Sequence, residues 1–225
     1  MLLIFALAVS ACASPPEEDP ANVKLETAAN LPPDDLDVAY VHTRWATDHT
    51  TSITTLMTDR NWSFVGEVTA LDEQLNVDIV PGDDGPQPTV AGKPTPAAGR
   101  TGPPTMPISI FRVRITDVIS GDLAVGETVL VRQTGGYHVQ STGETIKVVL
   151  EGDELLEAGM SYLFFASPNP EKRFQTSPVS RMKAAGGSFE ALEGWGELPA
   201  FQQIAAASRA DAEKMIAAEA AEAIR

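Results

Sequence analysis

The sequence predicts a mainly β domain with a C-terminal α-helix packed on it, and three observations predict this. Apolar and polar residues alternate at residues 62–70, 111–116 and 146–150, the two-residue period of strands that bury one face. Glycine- and proline-rich stretches separate these runs and end them as turns do. From Pro199 onward the apolar spacing changes to 3.6 residues, which is helical.

The elements follow in order. Val38, Tyr40, Val41 and Trp45 suit a core, and residues 52–57 suit one or two helical turns that Asp59, Arg60 and Asn61 break. Trp62, Phe64, Gly66, Val68 and Ala70 then share one face of a strand, with Gly66 marking a bulge or a close backbone approach. Residues 81–107 hold eight prolines and five glycines, which predicts a disordered insertion without regular structure. Phe111, Val113 and Ile115 alternate with Arg112, Arg114 and Thr116. Ser120, Gly121 and Asp122 turn the chain, and Val129 and Val131 continue the pattern across residues 127–134. Ile146, Val148 and Leu150 form another strand. Residues 162–166 are apolar on both faces and need cover on both sides.

Pro199 suits the first helical position. Phe201, Ile204, Ala205, Ser208, Ala212, Met215 and Ile216 then fall on one face. Ser208, Arg209, Ala210 and Asp211 have the form of a capping box, so two helices broken near Ser208 are an alternative to one.

The 225 residues leave room for one domain with a true core. With 16 basic and 31 acidic residues the net charge is −15, and the basic residues are scattered, so nucleic acid is an unsuitable partner. Cys12 is the single cysteine, which excludes internal disulfides and cysteine-based zinc sites. The apolar run Leu2 to Val9 is shorter than the roughly 18 residues of a membrane-spanning helix and reads as a secretory signal.

Val9, Ser10, Ala11 and Cys12 resemble the lipobox of bacterial lipoproteins. The resemblance implies a signal peptide over residues 1–11, lipid on Cys12 and a location outside the cytoplasm at the cell membrane or outer membrane. Residues 12–37, rich in proline and acidic residues, then form a disordered tether, and residues 38–225 form the domain.

A second resemblance rests on three stretches of apolar spacing with glycines at turns, residues 64–68, 111–121 and 159–165. They are similar to the strand succession of oligonucleotide/oligosaccharide-binding (OB) folds, in particular netrin-like and metalloproteinase-inhibitor modules. The resemblance implies a small OB-like antiparallel β-barrel. The inhibitors' activity does not carry over, because Cys12 lies far from the first strand and has no partner cysteine.

No spacing of catalytic or metal-binding residues stands out. His42 and His49 lie seven apart and lack a third ligand at close quarters. Gly135 and Gly136 suit a turn with positive φ. The pairs Asp83–Asp84 and Asp153–Glu154 sit in turn-like stretches where solvated charge is the expectation. No cofactor and no metal is therefore expected. The leading expectation is a non-catalytic, lipid-anchored envelope module that binds a protein or a saccharide. Arg112, Arg114, Thr128 and Arg132, on the polar side of adjacent strands, are its candidate contacts. The alternative is an envelope hydrolase using His138 with Ser141 or a carboxylate.

Overall fold

A computed structural model describes residues 36–41, 50–58, 60–78, 90–91, 105–140, 142–167 and 169–223. The signal, nearly all of the tether, His42, His49, Asp83, Asp84 and Ser141 lie outside them. The architecture is mainly β with C-terminal helices, in two sheets.

The larger sheet is built on two long partners, β2 (Trp62–Asp78) and β4 (Thr105–Ser120), antiparallel to each other throughout. Strands of that length must coil to wrap a core, and four register shifts along the pair supply the bends. One shift lies between Val65 and Gly66. A side chain at Gly66 would collide with Val113, so this glycine permits the close approach of β4. Next to β2 lies β8 (Ser161–Ala166), and next to β4 lies β5 (Thr128–Thr134), both antiparallel. Beyond β5 comes β9 (Arg173–Thr176), which is parallel to it. At the other end β10 (Arg181–Ala185) pairs with β8, and β11 (Ser188–Glu190) pairs with β10. The order is thus β11-β10-β8-β2-β4-β5-β9, and among the described residues no ladder joins its two ends.

The smaller sheet has the order β3-β1-β7-β6. It contains β1 (Val38–Val41), β3 (Val90–Ala91), β6 (Gly136–Val139) and β7 (Thr145–Leu150). Two parts of 81–107 are therefore extended strand, β3 and the first three residues of β4, contrary to the expectation of no regular structure. A short extended segment needs only a neighbouring strand edge to pair with, and a proline is tolerated where its missing N–H is not called on. Gly135 (φ 110°) and Gly136 (φ 153°) carry the chain from one sheet to the other. A Cβ on Gly136 would press on Ser109 Oγ and the Gln74 side chain.

Strand alternation divides the interior in two. Phe64, Val68, Phe111, Val113, Ile115, Val129, Val131, Phe164 and Phe174 point to an inner core. Phe64 is its centre, with ring centroids 5.2 Å from Phe164 and 5.5 Å from Phe174. Val65, Leu163, Phe165, Met182 and Phe189 point the other way, against helices α1 (Ile53–Thr58), α2 (Pro199–Ala205) and α3 (Arg209–Ala223). This is the double-sided burial that residues 162–166 require. Each such side chain contributes about 1.5–3 kcal/mol by leaving water.

The C-terminal segment is two helices, not one, so the single apolar stripe does not survive. Phe201 and Ile204 are buried from α2 and Ala212, Ile216 and Ala220 from α3, whereas Ala205 and Ser208 are exposed. Ser208 caps α3: its Oγ accepts the Asp211 N–H at 3.3 Å and donates to Asp211 Oδ2 at 2.7 Å. The hydroxyl, with Lys214, holds the Asp211 carboxyl below the usual range. Ser208→Ala is expected to cost about 1 kcal/mol in urea unfolding, the worth of a lost cap. A loss below the error of the fit would mean that the cap is idle.

Candidate functional site

The outward faces of β5 and β9 are set by the same alternation that builds the inner core. Val129, Val131 and Phe174 point in, so Leu130, Arg132, Arg173 and Gln175 point out. Parallel pairing puts Leu130 beside Arg173 and Arg132 beside Gln175. On the other side, Ile110 pairs with Arg132 and Glu73 with Ile110. The result is an open groove of about 540 Å³ across β2, β4, β5 and β9, whose floor is Ile110 and Leu130. Arg132 and Arg173 form one wall, and Asp72 and Glu73 form the other.

The loop between β8 and β9 closes one end. Asn169 lines the groove there, and its side chain builds the turn: Oδ1 accepts the Glu171 N–H at 2.9 Å and Nδ2 donates to the Arg173 carbonyl at 2.7 Å. Lys172 adopts φ 53°, an uncommon conformation for a residue with a Cβ. Its Nζ meets Glu127 Oε1 at 2.6 Å, which ties the loop to the start of β5 and holds the Glu127 carboxyl low.

The four arginine and threonine candidates lie on the outward face and divide on it. Arg112 is engaged by Asp72, and Arg114 meets Glu67 at 2.5 Å. Thr128 is opposite Arg114 and outside the groove lining. Arg132 lines the groove, and neither it nor Arg173 has an ion-pair partner among the described residues. Arg173, Gln175, Asn169 and Glu73 were missed by sequence reasoning. The alternation of Arg173, Phe174, Gln175 and Thr176 is the signal that could have found two of them, although each parallel partner lies 43 residues earlier, as Leu130 does from Arg173.

A second cleft, of about 490 Å³, lies by the smaller sheet, between Tyr40, Lys147 and Val149 on one side and Asp153, Glu154 and Glu157 on the other. Here one expectation fails. Asp153 is not solvated but buried, and its Oδ1 meets Nη2 of the fully buried Arg181 at 2.8 Å. Gln133 Nε2 also donates to Asp153 Oδ1, at 3.0 Å, and Arg181 donates to the Glu154 carbonyl. Burial pushes the Asp153 carboxyl above its usual range, outweighing the pull of Arg181 and the Gln133 bond. The sequence concealed this because an acidic pair in a turn looks the same whether or not a distant arginine returns to it. Glu154 behaves as expected on the surface, meeting Lys183 Nζ at 3.0 Å.

His138 sits half-buried on β6 opposite Ile146 and lines neither cleft. Among the described residues no three histidine, cysteine or acidic side chains are grouped to hold a metal ion. No described helix is long and apolar enough to cross a membrane. Comparison with known proteins finds no matching family model, no similar curated protein and no similar solved structure.

Proposed function

We propose that this protein is a non-catalytic, saccharide-binding module held at the outside of a bacterial membrane by lipid on Cys12. The observation that carries the binding role is the groove across β2, β4, β5 and β9, with an apolar floor between walls of hydrogen-bonding side chains. Sugar rings offer the same division: C–H faces for Ile110 and Leu130, and hydroxyls for Glu73, Asn169, Gln175 and the arginines. A protein partner fits less well, since stable interfaces take about 800 Å² from each side, more than a groove this size offers.

The strand arrangement supports an OB-like reading. Taking β2, β4, β5, β8 and β9 as five successive strands, the first lies between the second and the fourth, and the third lies beside the second and parallel to the fifth. OB barrels share this order and also pair the fourth strand with the fifth, whereas β8 here pairs with β10; such barrels are partly open and bind ligands across their second and third strands and the loop between the fourth and fifth. In this chain those parts are β4, β5 and the loop that contains Asn169. With a net charge of −15 the chain repels nucleic acid, which leaves the saccharide half of that repertoire.

The test is a glycan array probed with the full chain in detergent, beside a Leu130→Glu variant that puts a charge on the groove floor. Wild type should bind at least one class of oligosaccharide, and the variant at least tenfold more weakly. Failure to bind any glycan, or equal binding by the variant, defeats the proposal. Release of sugar from any bound glycan would favour the hydrolase instead.

A further inference from the structure

Building on the saccharide reading of the groove, we infer that its ligand carries acidic groups, and that Arg132 and Arg173 together receive them. These two guanidiniums project outward from adjacent parallel strands, two residues apart in register. With strands about 4.8 Å apart and a rise of about 3.3 Å per residue, their origins lie within reach of a single anionic group. Arg112 and Arg114 on the same face are each occupied by a carboxylate, Asp72 and Glu67. Arg132 and Arg173 are not so occupied among the described residues. Acidic residues outnumber basic ones 31 to 16 in this chain, so two adjoining arginines with no ion-pair partner among the described residues are an exception to its charge pattern. Arginine offers a rigid fork of donors that matches carboxylate and phosphate oxygens.

The opposite wall narrows the ligand further. Glu73 lines the groove across from the arginines, and its carboxylate is an acceptor only. It would repel a ligand charged on both edges and would accept from the hydroxyls of one charged on a single edge. A sugar ring with a carboxylate on one edge and hydroxyls on the other meets both demands. A sugar phosphate offers the arginines the same chemistry, so the anion's source is left to the experiment.

Calorimetry would use the full chain in detergent with three probes: an oligogalacturonate hexamer, the same hexamer fully methyl-esterified, and mannose 6-phosphate as competitor. The free-acid hexamer should bind at least tenfold more tightly than the ester, and its affinity should fall from 50 to 200 mM salt while that of the ester holds. Arg132→Gln and Arg173→Gln should each weaken the acid by about tenfold, the scale of a charged hydrogen bond, and weaken the ester by clearly less, since the ester offers these side chains only neutral oxygens. Both side chains are exposed, so thermal melts of the variants should match wild type; the salt dependence of the unmutated chain tests the same point without them. Competition by mannose 6-phosphate would assign the site to anionic sugars generally, and no competition would assign it to sugar carboxylates. Equal binding of acid and ester overturns the anionic inference and leaves the groove reading standing. Binding of neither hexamer, with no binding of mannose 6-phosphate titrated alone, overturns the inference; absence of any ligand on the glycan array is what removes the groove reading beneath it.

Discussion

Asp153→Asn is expected to cost about 3–5 kcal/mol of stability, because it leaves the fully buried Arg181 without its counter-charge. The substitution keeps the size of the side chain and an oxygen to accept from Gln133, so the loss isolates charge from packing. Arginine cannot shed its proton to adapt. The Nε and Nη1 of Arg181 already make no hydrogen bond among the described residues, so little remains to compensate the cation. Arg181→Met should cost less, because a stranded Asp153 can take up a proton. Its carboxyl is raised by burial even with the arginine present, and removal of Arg181 takes away a cause that lowers it. The sign follows from linkage: when the folded pKa lies above the unfolded value, that group's contribution is fully present below the unfolded pKa and lost as pH rises through the folded one. Arg181→Met should therefore gain stability relative to wild type as pH falls from 8 to 5. Urea unfolding at several pH values measures both effects. A larger loss for Arg181→Met than for Asp153→Asn at pH 7 would refute the asymmetry.

Phe64→Ala should be about as damaging, at about 3–5 kcal/mol. The ring is fully buried and packs on Phe164 from β8 and Phe174 from β9, so its removal opens a void bounded by three strands. Those neighbours sit in paired strands that cannot easily close on the gap. Domains of this kind hold only about 5–15 kcal/mol in all, so the variant should unfold at far lower urea. Tyr40→Ala, half-exposed on β1, is the control and should change stability by no more than about 0.5 kcal/mol. Comparable losses for the two would mean that the inner core is not the main stabilising body.

Local pattern made much of this fold legible. Phe111, Val113 and Ile115 announce β4 because a strand with one buried face must alternate, and residues 162–166 announce β8 because a strand with two buried faces cannot. The break at Ser208 was legible because a cap is a short-range device. Strands β6, β9, β10 and β11 were not, since each spans only 3 to 5 residues and owes its conformation to a neighbour rather than to its own period. The same limit applied to the groove. Arg132 could be placed on an outward face from its own strand. The contribution of Arg173 depends on parallel pairing, and that of Glu73 on a β2 that runs past Ala70 to Asp78.

The junction at Gly135 and Gly136 is fastened by polar side chains. Ser109 Oγ donates to the Gly135 carbonyl at 2.9 Å and Gln74 Oε1 accepts the Tyr137 N–H at 2.7 Å. Parting the two sheets would wet these amides and this hydroxyl together with the hydrocarbon of Met106 and Tyr137, each of which packs on the other sheet's core, and polar exposure lowers heat capacity where apolar exposure raises it. The smaller sheet is thus joined to the larger by a seam whose polar and apolar contributions to thermal curvature oppose one another, on a body whose aromatic interior adds only the apolar kind.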